Sequence, residues 1–255
     1  MLDWLRLPET RNIADLDDPS TTLLHAKIVR QKPFLKRTYL DFYREFQNAF
    51  SDTKGKTLVE LGSGGGFLKE IMPDVITSDV LRISTVDKVF SAIAMPFADT
   101  SVDAFFMVDV LHHIPDAEQF FKEALRCLKS GGKIIMVEPA NSPFGRFIYK
   151  NFHHEHFDPT ARWHLEETGP LSVANGAIPW IVFSRDRQIF ETKFPALKIL
   201  RIKPHTPFRY LISGGLSLRQ LLPSFMYPVI KGVEFLLTPL NPLLGMFQTI
   251  ELQKQ

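Results

Sequence analysis

The stretch LVELGSGGGFL, residues 58–68, runs an apolar segment straight into four glycines in five positions, Gly62, Gly64, Gly65 and Gly66 around Ser63. Glycine loses more conformational freedom on folding than any other residue. A cluster of it therefore persists where the backbone must turn tightly, adopt a positive φ, or let a ligand approach the main chain. A strand feeding a glycine loop and then a helix N-terminus forms a site for a polar ligand at the carboxyl edge of a sheet.

The sequence around this loop alternates short apolar runs with helical patterns. TLVELG reads as strand one, GFLKEIM as a helix opening inside the glycine cluster, and VITSDV as strand two ending at Asp79. DAFFMVDVL reads as a buried strand, AEQFFKEALRCLK as a helix capped by Asp116 and stopped by Gly131-Gly132, and KIIMVEP as the next strand. Further on come a helix in SRDRQIFETKF, a strand in LKILRIK and a last strand in TIELQKQ. This order predicts an α/β fold, a doubly wound, mostly parallel seven-stranded sheet with helices on both faces. Only LRIST separates strand two from the next extended segment near Val86. A parallel crossover normally takes about a dozen residues, so a loop replaces the usual helix there. Residues 1–50 read as helical, with Asp18-Pro19 as a start signal and a stripe of Leu35, Tyr39, Phe42, Phe46 and Phe50 that predicts a core-facing helix.

Composition narrows the class. A chain of 255 residues with 45% hydrophobic content can bury a full core, and a net charge of +2 argues against a nucleic-acid partner. A single cysteine, Cys127, precludes an internal disulfide, suits a reducing compartment and falls on the apolar face of its helix. The opening MLDWLRLPETRN lacks the apolar run of a signal peptide, and no uninterrupted apolar stretch of about 18 residues occurs. A cytoplasmic protein is expected.

The glycine loop discriminates between ligands. The dinucleotide pattern G-x-G-x-x-G needs a third glycine, and reading from Gly62 or from Gly64 meets Phe67 or Lys69 instead. What fits is E-x-G-x-G-x-G, with Glu60, Gly62, Gly64 and Gly66. A glutamate there would repel a pyrophosphate but suits an ammonium and a sulfonium. This segment resembles motif I of the class I S-adenosylmethionine (SAM) methyltransferases, and AMPFADTSVDAFFMVDVLHHIPD and LKSGGKIIMVEP extend the resemblance over residues 57–139. The resemblance implies SAM as cofactor. Glu60, Gly62, Ser63, Gly64 and Gly66 would hold its methionine end, Asp79 with Val80 its ribose, and Met95 and Asp109 would line the pocket. Ser91 stands where the family often has an aspartate to the adenine amino group. The rival readings are an NAD(P)-dependent oxidoreductase on a similar sheet and a non-catalytic SAM-binding protein.

For the acceptor, the [N/D/S]-P-P-[Y/F] signature of amino-group methylases is absent, since Asp109-Val110-Leu111-His112 stands in its place. A small or lipid-like acceptor methylated on a hydroxyl oxygen is expected. His112 and His113 after strand four are candidate bases as well as candidate loop structure, with one facing the cleft and the other away. NFHHEHFDP adds His154 and Glu155 as candidates, and its contiguous residues converge poorly on a metal, so no metal is expected. The segment Trp163 to Pro179 reads as a lid packing with Trp163 and Trp180.

Four regions follow: an N-terminal helical cap (1–50), a SAM-binding core (51–205) with a substrate-loop insertion at about 140–182, an apolar helical insertion between strands six and seven (206–246), and a final strand (247–255). In the third, a helix after Pro228 would place Val229, Val233, Leu236 and Leu237 on one face and Lys231, Glu234 and Thr238 on the other. Such a helix has three candidate partners: its own core, a second subunit, or a membrane surface or lipidic substrate.

Overall fold

The computed structural model of the protein describes residues 3–11, 13–153, 155–165 and 169–255. Seven strands form one sheet: β1 (Leu58–Glu60), β2 (Ile76–Asp79), β3 (Lys88–Val89), β4 (Val102–Val108), β5 (Leu128–Pro139), β6 (Leu197–His205) and β7 (Phe247–Lys254). Their spatial order is β3-β2-β1-β4-β5-β7-β6, parallel except for β7, which runs antiparallel to both β5 and β6. Because the order reverses between β1 and β4, a crevice opens there at the carboxyl ends of the strands. The sheet core is apolar on both faces, with Phe105, Phe106, Ile134, Ile135 and Met136 fully buried. That double burial explains why DAFFMVDVL and KIIMVEP are continuous rather than alternating in pattern.

Helices α1 (Pro19–Gln31) and α2 (Pro33–Ala49) begin as the sequence indicates, and the Asp18 carboxylate accepts from the Ser20 amide to cap the first. Helix α3 (Ala117–Cys127) is capped by Asp116. It stops at Cys127, earlier than the Gly131-Gly132 pair, because the chain is already extended at Leu128. The register between β4 and β5 jumps from Val102↔Leu128 to Ala104↔Lys133, and the glycine pair lies inside this irregular stretch. Helix α4 (Pro143–Phe152), the short α5 (Ile178–Trp180) and α6 (Arg187–Lys193) follow β5.

Two expectations about the left half of the sheet meet different ends. The link between β2 and β3 contains no helix, as its length requires. The helix expected in GFLKEIM shrinks to a single 3-10 turn, Leu68–Glu70. Pro73 follows closely and disfavours helical geometry at Met72, so little room is left for an α-helix. Helices α1 and α2 pack there instead. The Tyr43 hydroxyl accepts a hydrogen bond from the Phe67 amide at 3.0 Å, and Phe46 stacks on Phe106 at 5.1 Å between ring centres.

Between β6 and β7 lie α7 (Arg209–Ser213), α8 (Tyr227–Leu236) and α9 (Asn241–Leu244). This insertion meets the N-terminal segment directly. Leu7 donates to the Ser217 carbonyl, Arg219 donates to the Leu5 carbonyl, and Lys32 Nζ donates to the carbonyls of Gly215 and Leu218. Together they roof the carboxyl edge of the sheet.

Candidate active site

Under this roof lies a cavity of about 830 Å³. Its floor is the end of β1 and the glycine loop, and its walls come from β2, the loop after β4, α1, α2 and the insertion. Gly62 and Gly64 take positive φ of 59° and 46°, a region closed to most side chains. Gly65 serves packing: a Cβ there would lie 2.6 Å from the Ala26 amide nitrogen of α1.

Glu60, Gly62, Ser63, Gly64, Gly66, Asp79, Val80, Ser91 and Asp109 all line the cavity. Glu60 is 3% exposed, and its Oε2 has no hydrogen-bond partner among the described residues. Burial pushes its pKa up to about 8, and the Asp79 carboxylate adds to the rise. Asp79 accepts from the amides of Gly64 (3.0 Å) and Leu81 (2.9 Å), which fixes the glycine loop against the end of β2. Asp109 sits at φ 55°, an unusual conformation for a non-glycine residue, with its pKa also raised to about 8 by burial. Met95 does not line the cavity. Its amide donates to Glu123 and its carbonyl accepts from Arg126, so α3 holds this segment with the Met95 side chain 5% exposed in the core. Phe90 and Ala92 occupy the wall beside Ser91 instead.

Both histidines of the pair reach the cavity wall, rather than one facing away. Their surroundings set them apart chemically. His112 is 1% exposed, with Nδ1 2.7 Å from Glu138 Oε2 and Nε2 3.4 Å from Glu155 Oε2. Burial alone would lower its pKa. The two carboxylates outweigh that and hold it well above the ordinary value, so the ring is an imidazolium donating from both nitrogens. Nδ1 of His113 lies 3.1 Å from the Val173 carbonyl. A carbonyl only accepts, so Nδ1 carries the proton and the lone pair is on Nε2. Burial, reinforced by the charge on His112, lowers the His113 pKa to about 4. Glu155 lies within 3.7 Å of His113 Nε2 and of His153 Nδ1 as well as touching His112, and these three rings hold its carboxyl below the usual range despite burial. His154 lies outside the described residues. The donor atoms of His112, His113 and Glu155 come within 4.8 Å of one another, but both nitrogens of His112 are committed to carboxylates.

The expected lid is present only in part. Pro170, Leu171 and Gly176 line the cavity, whereas Trp163 and Trp180 do not; Trp163 Nε1 donates to Asp186 instead. Several lining residues escape sequence reasoning. Tyr39 belongs to a stripe that reads as core, Tyr43 lies one turn further along the same helix, and Tyr149 and Tyr210 come from α4 and α7. Glu138 gives one signal, an acidic residue ending an apolar strand; it is fully buried and also accepts from the amides of Val110 and Leu111.

Residues 59–136 match the family model described as a methyltransferase domain. This segment is what the chain shares with methyltransferase domains. Among curated proteins, the sterol methyltransferase-like protein 1 of Botryococcus braunii is 34% identical over 32% of this chain. Phosphoethanolamine N-methyltransferase 2 of Caenorhabditis elegans is 28% identical over 34% of it. These matches span only 18% and 25% of the two relatives' own lengths. Among solved structures, geranyl diphosphate C-methyltransferase from Streptomyces coelicolor superposes with a TM-score of 0.50 at 14% identity, covering 98% of this chain and 92% of that one. A possible histamine N-methyltransferase of Thermotoga maritima also gives a TM-score of 0.50, at 17% identity, covering 91% of this chain and 99% of that one. These likenesses are of fold.

The residues lining the cavity fit SAM. The unpartnered, buried Glu60 oxygen is what a ligand ammonium would satisfy, and Gly64, at a positive φ on the cavity wall, presents backbone without a side chain. The Asp79 carboxylate, already accepting two amides, keeps lone pairs for ribose hydroxyls.

Proposed function

We propose that the protein transfers the methyl group of SAM to a hydroxyl oxygen of a small, lipid-like acceptor. When bound, the cofactor supplies a methyl group on a sulfonium already activated for displacement. What remains for the chain is to align the acceptor, exclude water and take up its proton. Glu60, the glycine loop and Asp79 would anchor the donor at one end of the cavity. Tyr39, Tyr149, Tyr210 and Phe247 would pack the apolar body of the acceptor at the other.

One observation carries the assignment of the base: His113 is held as the tautomer with its lone pair on Nε2, at the cavity wall, and stays neutral near pH 7. A base of low pKa suffices here, because an oxygen receiving a methyl group becomes strongly acidic as the bond forms. Glu155, beside Nε2, would steady the proton once transferred. The names of two similar proteins, a sterol methyltransferase-like protein and a geranyl diphosphate methyltransferase, support an apolar acceptor.

A second reading, transfer to an alkene carbon, is favoured by four tyrosine rings, Tyr39, Tyr43, Tyr149 and Tyr210, sharing the cavity with the Glu155 carboxylate, a setting that could offset a carbocation. His113→Gln separates the two. With alcohol acceptors, kcat followed by S-adenosylhomocysteine release is expected to fall about 10²–10⁴-fold while the KM for SAM holds. In the unsubstituted protein, kcat is expected to rise with pH through about 4 and stay level across neutrality. An unchanged kcat in the variant, with turnover of the matching alkenes, would remove His113 as the base and leave the carbon reading.

A further inference from the structure

Helix α8 is inverted relative to an ordinary surface helix. Its polar stripe points inward: Glu234, 5% exposed, pairs with Arg209 and accepts from the amides of Phe208 and Arg209, and Lys231 reaches Asp41 of α2 at 2.7 Å. Of the apolar stripe expected for this helix, Val229, Val233 and Leu236 point outward while Leu237 lies just past its end and is half-buried; Phe235 on the same helix and Phe225 just before it join the outward residues. Phe225, Phe235 and Leu236 are 73%, 77% and 77% exposed. A solvated helix shows the reverse arrangement. The sequence separates the two faces of α8; the structure shows that the charged face is the one that pairs with the rest of the fold, through Glu234 and Lys231.

The apolar surface extends beyond α8. Helix α9 continues from it and packs on α4, whose Phe147 and Phe152 rings stand outward in contact with each other, 5.8 Å apart. Phe152 also lines the cavity, so this surface borders the site itself. Exposed apolar area on this scale marks an interaction surface.

Charge identifies what covers it. The two stretches that supply the surface, 141–153 and 206–246, contain Arg146, Lys150, Arg209, Arg219 and Lys231 against one acidic residue, Glu234, which is buried in its pair with Arg209. Arg146, Lys150 and Arg219 are exposed with no carboxylate of the described residues in salt-bridge reach, whereas Arg209 and Lys231 are compensated by Glu234 and Asp41. A second copy docking through the same face would set like charges against like, since a two-fold interface is self-complementary. Outward aromatic and aliphatic side chains with uncompensated cations match an anionic bilayer, where the apolar groups enter the acyl boundary and the cations meet lipid phosphates. No helix among the described residues is long and apolar enough to cross a membrane, so contact would be from one side. We infer that the α4–α8–α9 face docks the protein on an anionic membrane surface with the cavity opening beside it. This inference does not depend on which acceptor is methylated.

Vesicle flotation tests it without any turnover. The intact protein is expected to float with phosphatidylcholine–phosphatidylglycerol vesicles and to bind phosphatidylcholine vesicles roughly tenfold less. The triple variant Phe225→Ser, Phe235→Ser, Leu236→Ser removes exposed groups only. It is expected to lose roughly tenfold or more of the binding while keeping its circular dichroism spectrum and melting temperature. Arg146→Glu with Lys150→Glu is expected to weaken binding to the anionic vesicles selectively, and added salt to do the same. Absence of flotation, or a triple variant that floats like the intact protein, overturns the inference. So does a dimer in light scattering that the triple variant dissociates, because a second copy would then cover the face.

Discussion

His112→Ala is expected to destabilise the protein by about 3–5 kcal/mol, the usual cost of removing one partner from a buried ion pair. The ring lies between Glu138 and Glu155, and Glu138 is fully buried, so alanine leaves carboxylates facing each other with no cation between them. The effect has a pH window. The His112 pKa is raised on folding, so its contribution is complete below the ordinary 6.5 and is lost as pH rises through the higher folded value. The Glu155 pKa is lowered, so its contribution is complete above the ordinary 4.5 and is lost as pH falls. Urea unfolding should therefore show the widest gap between wild type and variant between pH 4.5 and 6.5, narrowing at alkaline pH. A gap below about 1 kcal/mol across this window would mean that the imidazolium is not what holds the loop after β4.

The second large effect falls on ligand binding. Gly64→Val is expected to weaken SAM binding roughly a hundredfold or more while leaving the far-ultraviolet circular dichroism unchanged. At φ 46° a β-branched residue is strained, yet a Cβ there meets nothing closer than 3.7 Å, so the core has no reason to collapse. Its nearest neighbours would be the Gly62 carbonyl, Asp79 Oδ2 and Thr22, all on the cavity wall, and that places the new side chain where the ligand must approach. Equilibrium dialysis with labelled SAM measures it. Affinity within about threefold of wild type would show that the cofactor does not lie over this glycine.

The sheet and the gathering of Glu60, Asp79 and the glycine loop at one cavity were legible because local chemistry dictates them. A fully buried strand has a continuous apolar pattern, a β1 glutamate before spaced glycines specifies a cationic ligand at a turn, and the short β2–β3 link leaves no length for a helix. The acceptor end was less so, because it is assembled from distant segments. Helical periodicity shows that Tyr39 faces inward, but not that a cavity rather than core lies opposite it. Glu138 and His112 meet across the ends of neighbouring strands, a pairing set by the β4–β5 register. Met95 followed from the family pattern, and the hydrogen bonds that tie its segment to α3 direct it elsewhere. For α8 the two faces were evident from the spacing; which one faces solvent depends on Asp41 and Arg209, contributed by other elements.

The cavity over Glu60 and Asp79 is the proposed SAM site. Isothermal titration of the wild type and of Asp79→Ala, with SAM and in parallel with NADPH, tests it most directly. SAM is expected to bind the wild type, Asp79→Ala to bind it more weakly by about 1–3 kcal/mol through loss of the carboxylate acceptor, and NADPH to give no saturable heat. Tight NADPH binding without SAM binding, or equal SAM affinity in both proteins, would contradict it.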